Sequence, residues 1–228
     1  MSSPLHEYDT RDAAAAALAA SIADSLREAV AERGEASLVV CGGSSPVALF
    51  RALAAERLAW DRVTVVPSDE RWVGTDHADS NEAMIRRELL TGEAAKARFM
   101  GLYRPTETPE AAVDEVTGAL RDVPQPLDVV LLGMGDDGHT ASLFPHDSGI
   151  ATKVDVGTPC VVADVGPPKR LSLSLAYLTD AQRIDILIFG DDKRRVLDAA
   201  SQPGPVAQYP IRGILRCVEP IATVHWAP

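Results

Sequence analysis

Two kinds of apolar run alternate along this chain. Some are short and nearly continuous: residues 37–41, 63–66, 127–132, 184–189 and 222–226. Their β-branched content and bounding turn formers predict strands, and the unbroken runs at 127–132 and 184–189 are of the kind covered on both faces. Others space their apolar positions at helical period. The Ala-rich stretch 13–20 leads into Asp24, Arg27, Glu28 and Glu32. It predicts an amphipathic helix capped by Asp9 or Thr10, running to about Arg33 and stopped by Gly34. Further helices are expected over 47–58, with Pro46 suited to the first helical position, over 81–90 behind the cap Ser80, and from the cap Thr108 to Leu120. A last one runs through the charged stretch 191–195 to Ala200. Residues 68–79 read as a polar loop, and 124–126 and 203–210 as turns or short loops.

Strands alternating with helices of this length imply an α/β fold: a Rossmann-like, largely parallel sheet with helices on both faces, in a single domain over 1–228. No internal repeat or low-complexity linker interrupts it. Ligands of such sheets bind beyond the carboxyl ends of the strands. Four polar stretches directly follow predicted strands: Gly42-Gly43-Ser44-Ser45, Ser68-Asp69-Glu70-Arg71, residues 133–139, and Gly190-Asp191-Asp192-Lys193. They are expected to meet at one rim.

Composition narrows the chemistry. A chain of 228 residues, 46% hydrophobic and 24% charged, is ample for a buried core. Its net charge of −11 argues against general binding to nucleic acid or anionic membranes. An anionic substrate would need local basic residues to overcome that field. Arg71, Arg170 and Lys193 are loop cations that together would make an anion clamp, with the Arg forks suited to phosphate oxygens. Asp69 and Glu70, next to Arg71, can orient it. The three cysteines, Cys41, Cys160 and Cys217, are far apart and form neither a disulfide framework nor a zinc signature. With no secretory signal and no run apolar enough to span a bilayer, the expected location is cytoplasmic.

The most distinctive stretch is Gly133-Met134-Gly135-Asp136-Asp137-Gly138-His139. Its first six residues spell G-x-G-x-x-G, the dinucleotide fingerprint, but the context is wrong. A true fingerprint opens a long helix facing a pyrophosphate. Here Pro145 cuts the following segment short, and Asp136 and Asp137 would set two carboxylates beside the phosphates. The acidic residue expected about 20 positions on has only Asp155 as a candidate, in a Gly- and Pro-rich loop. What remains is a glycine-permitted turn presenting Asp137 and His139, the latter a natural general base. Gly42 to Pro46 links a strand to a helix, and its backbone N–H groups and hydroxyls suit a phosphate at the helix N-terminus. It lacks the Walker ending G-K-[ST]. No G-x-S-x-G elbow marks a serine hydrolase, and no H-E-x-x-H or Cys/His cluster marks a metal. His6, His77, His146 and His225 have no evident ligand partners. Trp60, Trp72 and Trp226 read as packing residues.

Taken together, Cys41-Gly42-Gly43-Ser44-Ser45-Pro46, Ser68-Asp69-Glu70-Arg71-Trp72-Val73, Ser80-Asn81, the block from Gly133 to Pro145, Pro168-Lys169-Arg170 and Gly190-Asp191-Asp192-Lys193 resemble the 6-phosphogluconolactonase family, in its order and over nearly the whole chain. Cys41 and Ser45 stand where that family commonly has Ser and Thr, changes a backbone cradle tolerates. The resemblance implies hydrolysis of 6-phospho-D-glucono-1,5-lactone and a fold shared with glucosamine-6-phosphate deaminases. It implies that His139 is the catalytic base with Asp137 beside it. Gly43, Ser44, Ser45, Asp69, Arg71, Asn81, Gly138, Arg170 and Lys193 would bind substrate. It implies no metal or organic cofactor, a small sugar phosphate as partner, no nucleic acid or membrane, and a monomer or small homo-oligomer. Two alternatives stand beside it. A glucosamine-6-phosphate deaminase would carry Asn-Glu-Pro where Ser142-Leu143-Phe144-Pro145 lies. A sugar-phosphate sensor of a transcription regulator would bring a basic helix-turn-helix, which this acidic chain does not show.

Overall fold

A computed structural model describes residues 3–147, 149, 150, 153 and 157–228; Asp155 lies outside them. In chain order the strands are β1 (Leu5–Glu7), β2 (Ala36–Val40), β3 (Val63–Pro67), β4 (Asp69–Arg71), β5 (Arg98–Phe99), β6 (Leu127–Leu132), β7 (Cys160–Ala163), β8 (Arg170–Leu173), β9 (Ala181–Phe189) and β10 (Thr223–Ala227). The helices are α1 (Arg11–Arg33), α2 (Val47–Ala54), α3 (Asn81–Glu88), α4 (Val113–Leu120), α5 (Leu175–Thr179), α6 (Asp191–Ser201) and α7 (Ile211–Leu215). The main sheet has the order β1-β10-β9-β6-β2-β3-β5, and all its pairings are parallel.

The unbroken apolar strands are unbroken because both faces are covered. In β2, Leu38 and Val40 face a core built with α1, α2 and α3, while Val39 faces the core on the other side. In β6, Val129 and Leu131 alternate with Val130 and Leu132 in the same way. Leu18, Ile22 and Leu26 of α1 are fully buried, each worth about 1.5–3 kcal/mol. That helix begins where its cap residues say it should. Thr10 Oγ1 accepts from the Ala13 N–H at 3.1 Å, and Gly34, at φ 82°, ends it with its N–H on the Val30 carbonyl. Ser80 Oγ caps α3 at the Ala83 N–H.

Some expectations need correction. The helix expected over 47–58 ends at Ala54, where the chain turns away to bury Trp60, 1% exposed, at the entry to β3. The polar loop 68–79 contains β4, which pairs antiparallel with β8, itself paired with β7, in a second three-stranded sheet. Arg71 and Arg170 are therefore strand residues, direct register partners across that sheet, and Lys193 lies in the first turn of α6. None of the three is a loop cation.

Strand order places the site. From β2 the chain steps outward to β3 and β5 on one side and reaches β6, β9 and β10 on the other. The order reverses between β2 and β6, and a crevice at that point is where open α/β sheets bind ligands.

Candidate active site

The loops leaving β2 and β6 flank a cavity of about 340 Å³ lined by Gly43, Ser44, Ser45, Asp69, Arg71, Asn81, His139, Arg170 and Lys193, with Cys41 and Asp136 among its other walls. All four polar stretches meet there, as their positions after strands require. A larger groove of about 750 Å³ lies between α1 and the end of α2. It gathers no comparable set of chemical groups, so the smaller, polar cavity is the candidate site.

Its chemistry centres on His139. The ring Nδ1 lies 2.6 Å from Asp137 Oδ1, which also accepts the His139 backbone N–H at 3.0 Å. Burial raises the Asp137 pKa, but the bonds and charge of His139 outweigh it and hold the carboxyl below its ordinary value. An ionised carboxylate only accepts, so in the neutral ring Nδ1 carries the proton and Nε2 keeps its lone pair. The glycines serve this arrangement, not a dinucleotide. A Cβ at Gly135 would sit 2.1 Å from the His139 ring. Gly138 takes the left-handed turn at φ 79° that brings the chain back onto the histidine.

Gly138 itself departs from expectation: it does not line the cavity. Its N–H donates to the Gly135 carbonyl and its carbonyl accepts from Ile211. A Cβ there would lie 2.5 Å from Tyr209, so the residue is turned into the protein. Asp137 also stands behind the histidine instead of facing the cavity.

The cavity that His139 lines also holds three cations without ion-pair partners. Among the described residues, Arg71, Arg170 and Lys193 have no carboxylate within ion-pair distance, although many other Arg and Lys side chains do. The Nε atoms of both Arg71 and Arg170 are buried without a hydrogen-bond partner. Burial, then the neighbouring Arg71 charge, lowers the Arg170 pKa. Two like charges held together with unused donors form a site that an anion relieves. The N–H groups of Gly43, Ser44 and Ser45 likewise have no acceptor among the described residues.

The carboxylates nearby are already engaged. Asp69, 5% exposed, accepts from Ser68 Oγ at 2.9 Å and from Ser142 Oγ at 2.6 Å, which ties the His139 loop to β4. Glu70 does not orient the Arg71 guanidinium. Its carboxylate accepts the N–H groups of Arg71, Asn81 and Glu82 and the Ser80 hydroxyl, closing the start of α3. Asn81 Nδ2 donates to the Asp69 carbonyl, while a Cβ at Gly42 would meet Asn81 Oδ1 at 2.1 Å. At Cys41, burial, reinforced by the Asp69 charge, pushes the thiol up to about 12, so it remains a thiol and is not a nucleophile. The roles of Ser142 and Glu70 were not readable from the sequence, because their partners come from other elements.

Fold and site define an α/β enzyme of the kind that brings a carboxylate-backed histidine and an anion clamp to one switch-point cavity. A family model described as glucosamine-6-phosphate isomerases/6-phosphogluconolactonase matches residues 9–226. The chain is 48% identical over 216 residues to a 6-phosphogluconolactonase of Pseudomonas aeruginosa, covering 92% of this chain and 89% of that one. It is 42% identical to one of Pseudomonas putida, covering 98% and 93%. The crystal structure of a 6-phosphogluconolactonase from Shewanella baltica superposes with a TM-score of 0.96 at 36% identity, covering 99% of this chain and 98% of that one. The chain belongs to the glucosamine-6-phosphate isomerase/6-phosphogluconolactonase family.

Proposed function

We propose that this protein hydrolyses 6-phospho-D-glucono-1,5-lactone to 6-phospho-D-gluconate, in the oxidative pentose phosphate pathway, with His139 as general base. The observation that carries the reading is the 2.6 Å Asp137–His139 pair opening onto a cavity that also holds Arg71, Arg170 and Lys193. A water beside Nε2 gives up a proton as its oxygen attacks the lactone carbonyl. The tetrahedral intermediate then collapses. The bond between C1 and the ring oxygen breaks, and the imidazolium returns its proton to that oxygen as the new hydroxyl. Asp137 keeps the tautomer and steadies the imidazolium while it exists.

The remote phosphate is held by Arg71, Arg170, Lys193 and the Gly43–Ser45 backbone. Binding energy from this non-reacting end positions the carbonyl against His139. Asp69 and Asn81, which line the same cavity, complete the proposed substrate-binding set. The chemistry needs no metal or organic cofactor. No helix among the described residues is long and apolar enough to cross a membrane; the proposed setting is the cytoplasm, with the chain acting as a single domain, monomeric or in a small homo-oligomer.

The test is an NMR time course of freshly generated phosphogluconolactone with and without the protein, the blank correcting for spontaneous ring opening. Acceleration of lactone loss with matching 6-phosphogluconate formation is expected. No acceleration, or ammonia release from glucosamine 6-phosphate in its place, overturns the reading.

A further inference from the structure

Phe144 is a partly exposed aromatic residue that contributes to none of the hydrophobic cores formed by the described residues. Its ring packs instead against two groups of the site. Its centroid lies 4.3 Å from that of the His139 imidazole, with the planes tilted by 36°. The Arg170 guanidinium carbon lies 5.1 Å from the same centroid.

Each neighbour lacks something the ring supplies. Asp137 holds one nitrogen of His139, and Gly135 and Phe144 pack against the ring. Arg170 has a long side chain with no ion pair and an unpartnered Nε, so its position before an anion arrives needs another seat. An aromatic face is such a seat for a guanidinium. The backbone of Phe144 is in turn well held. Pro145 restricts its φ and ψ, its carbonyl accepts from Asp147 at 3.2 Å, and the preceding turn is closed by Leu143 N–H on the Thr140 carbonyl.

We propose that Phe144 is a positioning residue that couples the anion clamp to the general base: one ring sets Arg170 and His139 relative to each other. The inference rests on the lactonase reading for its kinetic consequences and on the geometry alone for its effect on anion binding.

Phe144→Leu should weaken binding of inorganic phosphate, measured by calorimetry, about threefold to tenfold. With the phosphorylated lactone it should raise KM by a similar factor and lower kcat about tenfold; with unphosphorylated gluconolactone only kcat should fall. Phe144→Tyr, which keeps the ring, should restore both. In an Arg170→Ala background, Phe144→Leu should no longer change phosphate affinity, because the guanidinium it seats is gone. Arg170→Lys leaves position 144 intact and tests the coupling even if Phe144→Leu fails to fold. By removing the planar partner of the ring, it should lower kcat about threefold on the unphosphorylated lactone, where no phosphate contact is at stake. Phosphate affinity unchanged in folded Phe144→Leu, effects that simply add to those of Arg170→Ala, or an unchanged kcat for Arg170→Lys on gluconolactone would each overturn the proposal. If the wild type turns over neither lactone, the functional reading fails instead, and the phosphate titrations still decide the role of Phe144.

Discussion

Two histidine–aspartate pairs among the described residues look alike on paper. His139 meets Asp137 at 2.6 Å, and His225 meets Asp185 at 2.9 Å. Their surroundings separate them. His139, which lines the cavity, and Asp137 behind it are 30% and 31% exposed, whereas His225 and Asp185 are 6% and 1% exposed. His225 Nε2 pairs with Asp185 and its Nδ1 with the Tyr8 hydroxyl, and its ring stacks with those of His6 and Tyr8. Asp185 is held further by Arg183. Burial, with the Asp185 charge, pushes the Tyr8 phenol up, so Tyr8 stays a neutral partner. Both nitrogens of His225 are spent, and no water can use it as a base. A histidine–carboxylate pair becomes a catalytic device only when one ring nitrogen is left free and faces a space the substrate can enter. In the interior the same pair is an anchor that stitches β1 and β10 to β9.

The sharpest way to break this comparison is to remove each histidine in turn. His139→Ala should lower kcat about 10²–10⁴-fold, the range for a lost general base, with a melting temperature near that of the wild type. Steady-state kinetics within twofold of wild type would contradict its role. Asp137→Asn should follow with a loss of about 10²-fold, because the wrong tautomer leaves the imidazole misaligned; an effect confined to KM would point to a binding role. Arg170→Ala and Lys193→Ala should raise KM for the phosphorylated lactone about tenfold, with Lys193→Ala leaving the unphosphorylated lactone much less affected and Arg170→Ala also lowering kcat on it about threefold. His225→Ala should do the opposite of His139→Ala. Activity per folded molecule should stay within about twofold, and stability should fall by about 1–3 kcal/mol through the unpaired groups left behind, read by thermal or urea unfolding.

The smallest effect is a pH dependence of stability. The Asp137 carboxyl is depressed when folded, so its contribution is complete above the ordinary carboxylate pKa of about 3.9. It is lost as the pH falls through the folded value. Wild-type unfolding curves should therefore lose more stability below about pH 4 than those of Asp137→Asn. Curves parallel at every pH would mean that the pair adds nothing to folding.

The two pairs also mark what could be read along the chain. His139 lies two positions from Asp137 in a turn whose glycines are visible in the sequence, so the pair and its place after β6 were legible. His225 and Asp185 are 40 residues apart and meet only because β9 and β10 are neighbours; His225 therefore looked partnerless. The same divide runs through the clamp. Arg71, Arg170 and Lys193 were recognisable as candidates, but not that the first two stand side by side on a small antiparallel sheet. The short strands β4 and β8 are four residues or fewer and carry too little periodicity to signal themselves. Gly138 was assigned to the substrate because its motif surrounds a site; only the packing of Tyr209 shows that it faces inward.

By itself the sequence determined the elements whose cause is local: the caps of α1 and α3, the doubly covered strands, the turn that presents His139. These depend on hydrogen bonds and periodicities spanning a few residues, which a linear reading captures. The tertiary structure alone decided which carboxylate His225 meets, that Arg71 and Arg170 stand side by side, which donors are left unsatisfied, and where the cavity opens. Those outcomes depend on strand order and on exclusion of water by residues distant in the chain, and no local pattern encodes either.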